Sequence, residues 1–221
     1  MSQKPLFQAF ITNLTKYTKG DLVGEWVSFP TDRETIQGVF QRIGLEHGGE
    51  YFITDYDSSL PLSEMLGEYE NLNELNYFAH NLQSVAADGN LEKLTAALEL
   101  GDNTGSLKDL INLTDNMDAY TWLPGITTEN SYGQYLVDAC EAIPVLLEHP
   151  EIEPYFDYEA FGRDTTINES GTFTKDGYIV QDGNFTEEYH SFEDIPKEYM
   201  ITPEVSGEAL TEAAAEMSMM L

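Results

Sequence analysis

The stretch NLNELNYFAHNLQSVAADGNLEKLTAALELGDNTGSLKDLINL, residues 71–113, carries the clearest structural signal in this 221-residue chain. Leu72, Leu75, Ala79, Leu82 and Ala86 recur at alternating spacings of three and four, which places them on one side of a helix. Asn71, with Glu74 three positions on, reads as a capping-box-like start. Leu91, Leu94 and Leu98 form a second stripe behind Asn90, and Leu107, Leu110 and Ile111 a third behind Ser106. Gly89, Gly101 and Gly105 stand at the joins, as helix ends require. Short helices with one apolar face each gain little alone in water, so the pattern predicts a small helical bundle over 61–117.

Outward from that stretch the pattern becomes mixed. On its N-terminal side, 7–14, 25–29 and 51–56 are short runs of aromatic and β-branched residues and read as strands. Between the last two lies a helix with Thr31 as N-cap, Glu34 completing a capping box, and Ile36, Val39, Phe40 and Ile43 as its apolar face. On the C-terminal side, 120–123 reads as a short strand and 132–147 as a helix that Pro144 should kink or shorten. Residues 173–180 read as a hairpin around the Lys175-Asp176-Gly177 turn. Beyond 181 the chain is polar and acidic, and 208–221 is rich in Ala, Glu and Met. The expectation is an α+β protein with three small domains: 1–60 mixed, 61–117 helical and 118–180 mixed. A weakly ordered acidic tail, 181–221, should follow and be dispensable for activity.

Charge is the anomaly. Forty acidic residues face ten basic ones, a net charge of −30. Residues 43–162 hold 23 acids against two lysines, Lys93 and Lys108, whereas the first 42 residues hold four acids and five bases. Adaptation to salt would spread acid evenly, and this distribution is not even. A composition that is 41% hydrophobic and 12% aromatic also argues for folded cores rather than an acidic disordered chain. Crowded like charges destabilise a fold through self-repulsion, so the field itself is expected to have a use. Such a surface repels nucleic acid and anionic membranes and attracts basic partners. B-DNA carries about one charge per ~1.7 Å of axis, so the net −21 of residues 43–162 corresponds to roughly ten base pairs of duplex.

Sequence patterns for common chemistries are missing. Cys140 alone allows neither an internal disulfide nor a cysteine-based zinc site and reads as a small core residue. His47, His80, His149 and His190 lack metal-ligand spacing. Asp55 and Asp57 form a lone D-x-D without the glycine and glutamate of a calcium loop. No phosphate-cradling glycine loop or nucleophile elbow is present, so neither an enzyme nor a cofactor is expected. A facing carboxylate pair suited to glycoside hydrolysis stays open among so many acids. Residues 7–14 are too short and too broken by Gln8, Thr12 and Asn13 for a signal peptide, and no apolar run nears the ~20 residues of a membrane span. A cytoplasmic protein is expected.

Several blocks resemble the ArdA family of antirestriction proteins. They are Asn13-Leu-Thr-Lys-Tyr17 running into Gly20-Asp-Leu-Val-Gly-Glu-Trp26, then Phe52-Ile-Thr-Asp-Tyr56, then Gly67-Glu-Tyr-Glu70 with Leu72, Glu74, Leu75 and Asn76. Phe156-Asp-Tyr-Glu-Ala160, Gly162-Arg-Asp164 and 173–179 complete the order. The resemblance implies a mobile-element protein that mimics bent B-form DNA and occupies the DNA-binding groove of type I restriction–modification enzymes. Inhibition would be competitive and stoichiometric. It also implies an elongated three-domain homodimer with dimer contacts in 118–180. The carboxylates expected to replace phosphates are Glu64, Glu68, Glu70, Glu74, Glu92, Glu99, Asp109, Asp115, Asp138, Glu141, Glu148, Glu151 and Glu153. Gly24, Trp26, Tyr69 and Gly162 read as fold-defining positions. The alternative is an acidic chaperone or adaptor that shields a basic DNA-binding protein.

Overall fold

Phe7, Ala9 and Ile11 alternate inward along β1 (Phe7–Asn13), and all three are fully buried. This central strand pairs antiparallel with β2 (Gly24–Phe29) on one edge and β3 (Tyr51–Ser58) on the other, giving the order β2-β1-β3. The computed structural model describes residues 5–45 and 49–203; the expectations for His47 and for 208–221 lie outside the described residues. Contacts divide the chain into two units, one built from 1–87, 103–114 and 187–221, the other from 88–102 and 115–186.

In the first unit, α1 (Leu14–Tyr17) and α2 (Arg33–Ile43) connect the strands, and Asn13 ties them together. Its carbonyl oxygen Oδ1 accepts from Lys16 N at 2.9 Å, while Nδ2 donates to the carbonyls of Ile43 and Gly44 at 3.1 and 3.2 Å. Lys16 Nζ donates to the same Ile43 carbonyl at 2.9 Å. Two side chains of the Asn13–Tyr17 block thus satisfy the carbonyls that a helix end leaves unpaired. The N-cap of α2 is Asp32, whose carboxylate accepts from Thr35 N at 2.7 Å, and not Thr31. The Thr31 amide instead donates to Asn76 Oδ1. Helix α3 (Leu72–Ala87) packs on β2 and sets Phe78 against Phe7, itself stacked on Phe29 at 5.3 Å. Asn71 caps its start as the sequence implies, accepting from Asn73 N at 2.8 Å.

The second unit holds α4 (Leu91–Leu100) and the sheet β4-β6-β5, made of β4 (Tyr120–Pro124), β5 (Thr172–Phe173) and β6 (Gly177–Gln181). The stripes of 71–113 therefore do not form one bundle. Helix α3 and nearly all of α5 (Leu107–Asp115) belong to the first unit, and α4 packs on β4 and β6 in the second. Periodicity shows which face of a helix is apolar, and a sheet covers that face as well as another helix does. The expected helix over 132–147 divides into α6 (Glu129–Asp138) and α7 (Pro144–Glu148), with Glu141 at φ 52° in the break. Pro144 has no N–H to give, so it opens a new helix instead of continuing the old one. Cys140 lies in that break and is exposed, contrary to its expected core position.

Helix α8 (Tyr158–Glu169) has no apolar stripe, and among its residues only Gly162 is buried. It packs along α6 through Gly162 and Gly133. A Cβ on Gly162 would stand 2.8 Å from Gly133 N and closer still to the Glu129 carbonyl oxygen. A Cβ on Gly133 would strike the Tyr158 carbonyl. The two backbones touch, and this is the fold-defining role expected of Gly162.

Residues 187–202 are not a loose tail. Tyr189, Ile195 and Ile201 are buried, and three asparagines that are themselves only 1% exposed grip the segment's backbone. Asn112 Oδ1 accepts from Glu188 N and Tyr189 N at 2.9 Å each, and its Nδ2 donates to the Tyr189 carbonyl at 2.8 Å. Asn73 Oδ1 accepts from Ile201 N and Thr202 N at 2.7 and 2.8 Å, and Asn76 Nδ2 donates to the Tyr199 carbonyl at 2.9 Å. Buried residues six positions apart, separated by the single 3-10 turns at 192–194 and 197–199, leave no period to read, which is why the segment looks like a tail in the sequence. Among the described residues no helix is long and apolar enough to cross a membrane.

Three outcomes are expected. Gly162→Ala should destabilise the second unit by about 1–3 kcal/mol, because overpacking against backbone has no side-chain rotamer to relieve it. Urea unfolding followed through Trp122 measures this. A chain ended after Thr186 keeps the second unit whole but strips the three asparagines of their partners. Its first unit should lose cooperative unfolding, followed through Trp26 in a Trp122→Phe background. Asn112→Ala alone should cost about 1–3 kcal/mol, the penalty for buried amides left unpaired.

Candidate functional site

The thirteen carboxylates singled out in the sequence fall on both units. Glu64, Glu68, Glu70, Glu74 and Asp109 belong to the first; Glu92, Glu99, Asp115, Asp138, Glu141, Glu148, Glu151 and Glu153 belong to the second. Ten are exposed, and Glu70, Glu74 and Asp109 are half-buried. They project from helices α3 to α7 and from the turns beside them. On a helix a polar residue placed off the apolar stripe faces solvent, so one periodicity sets both the core and the charged face.

The half-buried three have local work. Glu70 accepts from Gly67 N at 2.9 Å and closes the turn before α3. Asp109 receives the Ser106 hydroxyl at 2.7 Å while Ser106 Oγ accepts from Asp109 N, so this pair caps α5. Glu74 does not return to its own N-cap as a capping box would. Its Oε1 accepts from the Tyr189 hydroxyl at 2.5 Å, and burial raises its pKa above the ordinary carboxylate value.

The cations that form ion pairs are engaged with other acids. Arg42 holds Glu25 through two hydrogen bonds, Lys108 holds Glu187, Arg163 meets Asp164 and Lys175 meets Asp176. Within the set of thirteen, Glu151 has His149 beside it at 3.1 Å. In the second unit the close crossing of α6 and α8 brings acids together. The Tyr158 hydroxyl donates to Glu153 at 3.4 Å, and the charges of Glu153 and Asp138 add to desolvation in raising its pKa. Crowded carboxylates left without cations present a strong negative field to any approaching base.

Asp55 and Asp57 are exposed on β3, and among the described residues no group of three or more His, Cys, Asp or Glu side chains is placed to hold a metal. His80 lies 4.4 Å from the ring of Tyr199, and burial lowers its pKa. Of the positions read as fold-defining, Gly24 packs tightly against Phe10 and Ile11, whereas Trp26 and Tyr69 are 41% and 43% exposed. Sequence reasoning passed over Glu169. Its carboxylate takes both the Tyr132 hydroxyl, at 2.6 Å, and the Tyr178 hydroxyl, at 3.3 Å. Glu169 ends a helix with no apolar period, so no pattern in the sequence marks it.

Glu74 gives the protein a pH signature. A carboxyl whose pKa is raised on folding contributes stability below its unfolded pKa, and that contribution is lost as pH rises through the folded value. Glu74→Gln keeps an acceptor for Tyr189 without the buried charge. It should stabilise the first unit at neutral pH, and the difference from the parent should vanish as pH falls below about 4.5. Melting temperatures across this range, followed through Trp26, test the sign.

A comparison with curated proteins finds no match. A family model described as antirestriction protein (ArdA) matches residues 9–180, most of both units and all the blocks from Asn13 to Ile179. Its lower boundary falls in β1 and its upper boundary in β6, so the match spans both sheets and every helix described above. The chain therefore belongs to the ArdA family of antirestriction proteins.

Proposed function

We propose that the exposed carboxylates stand in for the phosphates of B-form DNA and occupy the DNA-binding groove of a type I restriction–modification enzyme. The supporting observation is that ten of the thirteen carboxylates are solvent-exposed while the lysines and arginines of the chain's ion pairs sit on other acids. A DNA-binding groove is lined with Lys and Arg that displace counterions from phosphates. Carboxylates on ordered helices satisfy those side chains without offering base edges, so the inhibitor needs no recognition sequence. Binding is then stoichiometric and competitive with DNA. A homodimer joined through 118–180 extends this reading. Exposed Val145, Leu147, Ile152 and Tyr155 in that stretch support it, since apolar patches commonly mark association surfaces. Light scattering should then give about twice the 24.8 kDa chain mass.

The discriminating measurement is competition with DNA for a purified type I methyltransferase over a range of salt concentrations. Exposed ion pairs contribute about 0–1 kcal/mol each. Neutralising Glu92, Glu99, Asp138 or Glu141 singly should therefore weaken inhibition only slightly, and the combination should weaken it further and flatten the salt dependence. One folded single variant that abolishes inhibition, or an affinity indifferent to salt, would overturn the mimic. Binding to isolated basic proteins without displacement of DNA would favour the acidic chaperone instead.

A further inference from the structure

The second unit contains a cavity of about 380 Å³ lined by Thr121, Leu123, Tyr132, Tyr135, Leu136, Cys140, Glu169, Val180, Gln181 and Asp182. Its floor is one face of the sheet. Thr121 pairs with Val180 and Leu123 with Tyr178, so these four side chains stand on the same side. One wall is α6, where Tyr132, Tyr135 and Leu136 follow each other at helical spacing, and the rings of Tyr132 and Tyr135 lie within 14° of parallel. The rim carries Glu169, at the end of α8, and Asp182, just past β6. Lys, Arg and His are absent from this lining, so the charge of the cavity is entirely negative.

We infer that this cavity is a receptor for a guanidinium group, an arginine side chain of the basic partner inserted between the tyrosines and the two rim carboxylates. The geometry of Glu169 supports a receptor. The Tyr132 and Tyr178 hydroxyls both donate to Oε2, which fixes the carboxylate in place and leaves the lone pairs of Oε1 for a further donor. Burial pushes the Tyr178 hydroxyl up to about 12 and raises Tyr132 as well, so both remain protonated donors at neutral pH. Thr121 Oγ1 donates to Asp182 Oδ2 at 2.8 Å and positions the second carboxylate likewise. A guanidinium presents a planar fork that pairs bidentately with a carboxylate and stacks flat on an aromatic face, whereas an ammonium is a compact, strongly hydrated point charge that can do neither in that planar geometry. Two tyrosine rings beside two carboxylates therefore select arginine over lysine. The inference rests on the proposed function only for the source of that arginine.

The probe is N-acetyl-L-arginine N-methylamide, titrated into the full-length protein while the methyl signals of Leu123, Leu136 and Val180 are followed by NMR. Saturable shifts at these methyls, with Leu94 on α4 as an unaffected reference, are expected. The neutral isostere N-acetyl-L-citrulline N-methylamide should bind at least about tenfold more weakly, because charge-assisted hydrogen bonds are lost. Glu169→Gln and Asp182→Asn should each weaken the arginine probe by roughly tenfold. Either removes one charge from a surplus of thirty, so unspecific attraction would survive both substitutions and the cavity would not. Absence of saturable shifts, an equal response to citrulline, or unchanged binding in both variants would overturn the receptor. The titration contains no restriction enzyme. A protein that binds the probe but fails to displace DNA would refute the proposed function and keep the cavity, and the opposite pair of results would do the reverse.

Discussion

Thirty negative charges without counterparts repel one another, and every contact that closes this fold must work against them. The protein meets that constraint with neutral groups. Among the described residues the buried polar ones are Thr12, Asn13, Asn73, Asn76, Asn112 and Thr114, and none of them is charged. An asparagine amide offers donors and acceptors together, so it can satisfy the two backbone polarities of a neighbouring segment. Asn13 joins β1 to the ends of α1 and α2, and Asn73, Asn76 and Asn112 hold residues 187–202. An ion pair in these places would have required burying a carboxylate, at a desolvation cost that its partner offsets only in part.

The same constraint governs how acids are distributed. The half-buried Glu74 is held by the Tyr189 hydroxyl, and the exposed Glu169 by the hydroxyls of Tyr132 and Tyr178. The others stay in water, where repulsion is screened over about 8–10 Å. Backbone contact at Gly133 and Gly162 lets α6 and α8 approach without an apolar stripe between them. That frees the remaining surface of α8 to carry Glu159, Asp164 and Glu169. An antirestriction protein assembled this way can present dense charge on an ordered scaffold, which a flexible acidic chain cannot do without losing conformational entropy on binding.

Residues 187–202 show how a segment outside the family match becomes part of the core. The match ends at 180, yet Tyr189, Ile195 and Ile201 are buried in the first unit. The chain leaves that unit to place α4 in the second, re-enters it for α5, completes the second over 115–186, and returns to finish the first. Tyr77, a half-buried residue of α3, lies against both Tyr189 and Tyr199 in the returning segment.

Local order was legible wherever one short-range rule governs it. The strands β1, β2 and β3, the stripes of α3, α4 and α5, and the hairpin at Lys175–Gly177 all follow from alternation, helical spacing or turn chemistry within a few residues. The acidic character of the surface was legible too, because helical spacing that places Leu94 and Leu98 inward places Glu92 and Glu99 outward. Helix α8 was not, since a glycine contact leaves no apolar period. The cap at Asp32 and the division of 132–147 were narrower misses, decided by which of two adjacent groups reaches an amide and by where Pro144 can begin a helix. The sequence by itself determined the strands of the first sheet, helices α2 to α5 with their apolar faces, and the charge. Only the tertiary structure decided which stripe meets which sheet, that 187–202 closes the first core, and that Glu169 stands over a tyrosine-walled cavity. Those outcomes depend on contacts between residues tens of positions apart, whose complementarity is one of shape and hydrogen bonding and leaves no period along the chain.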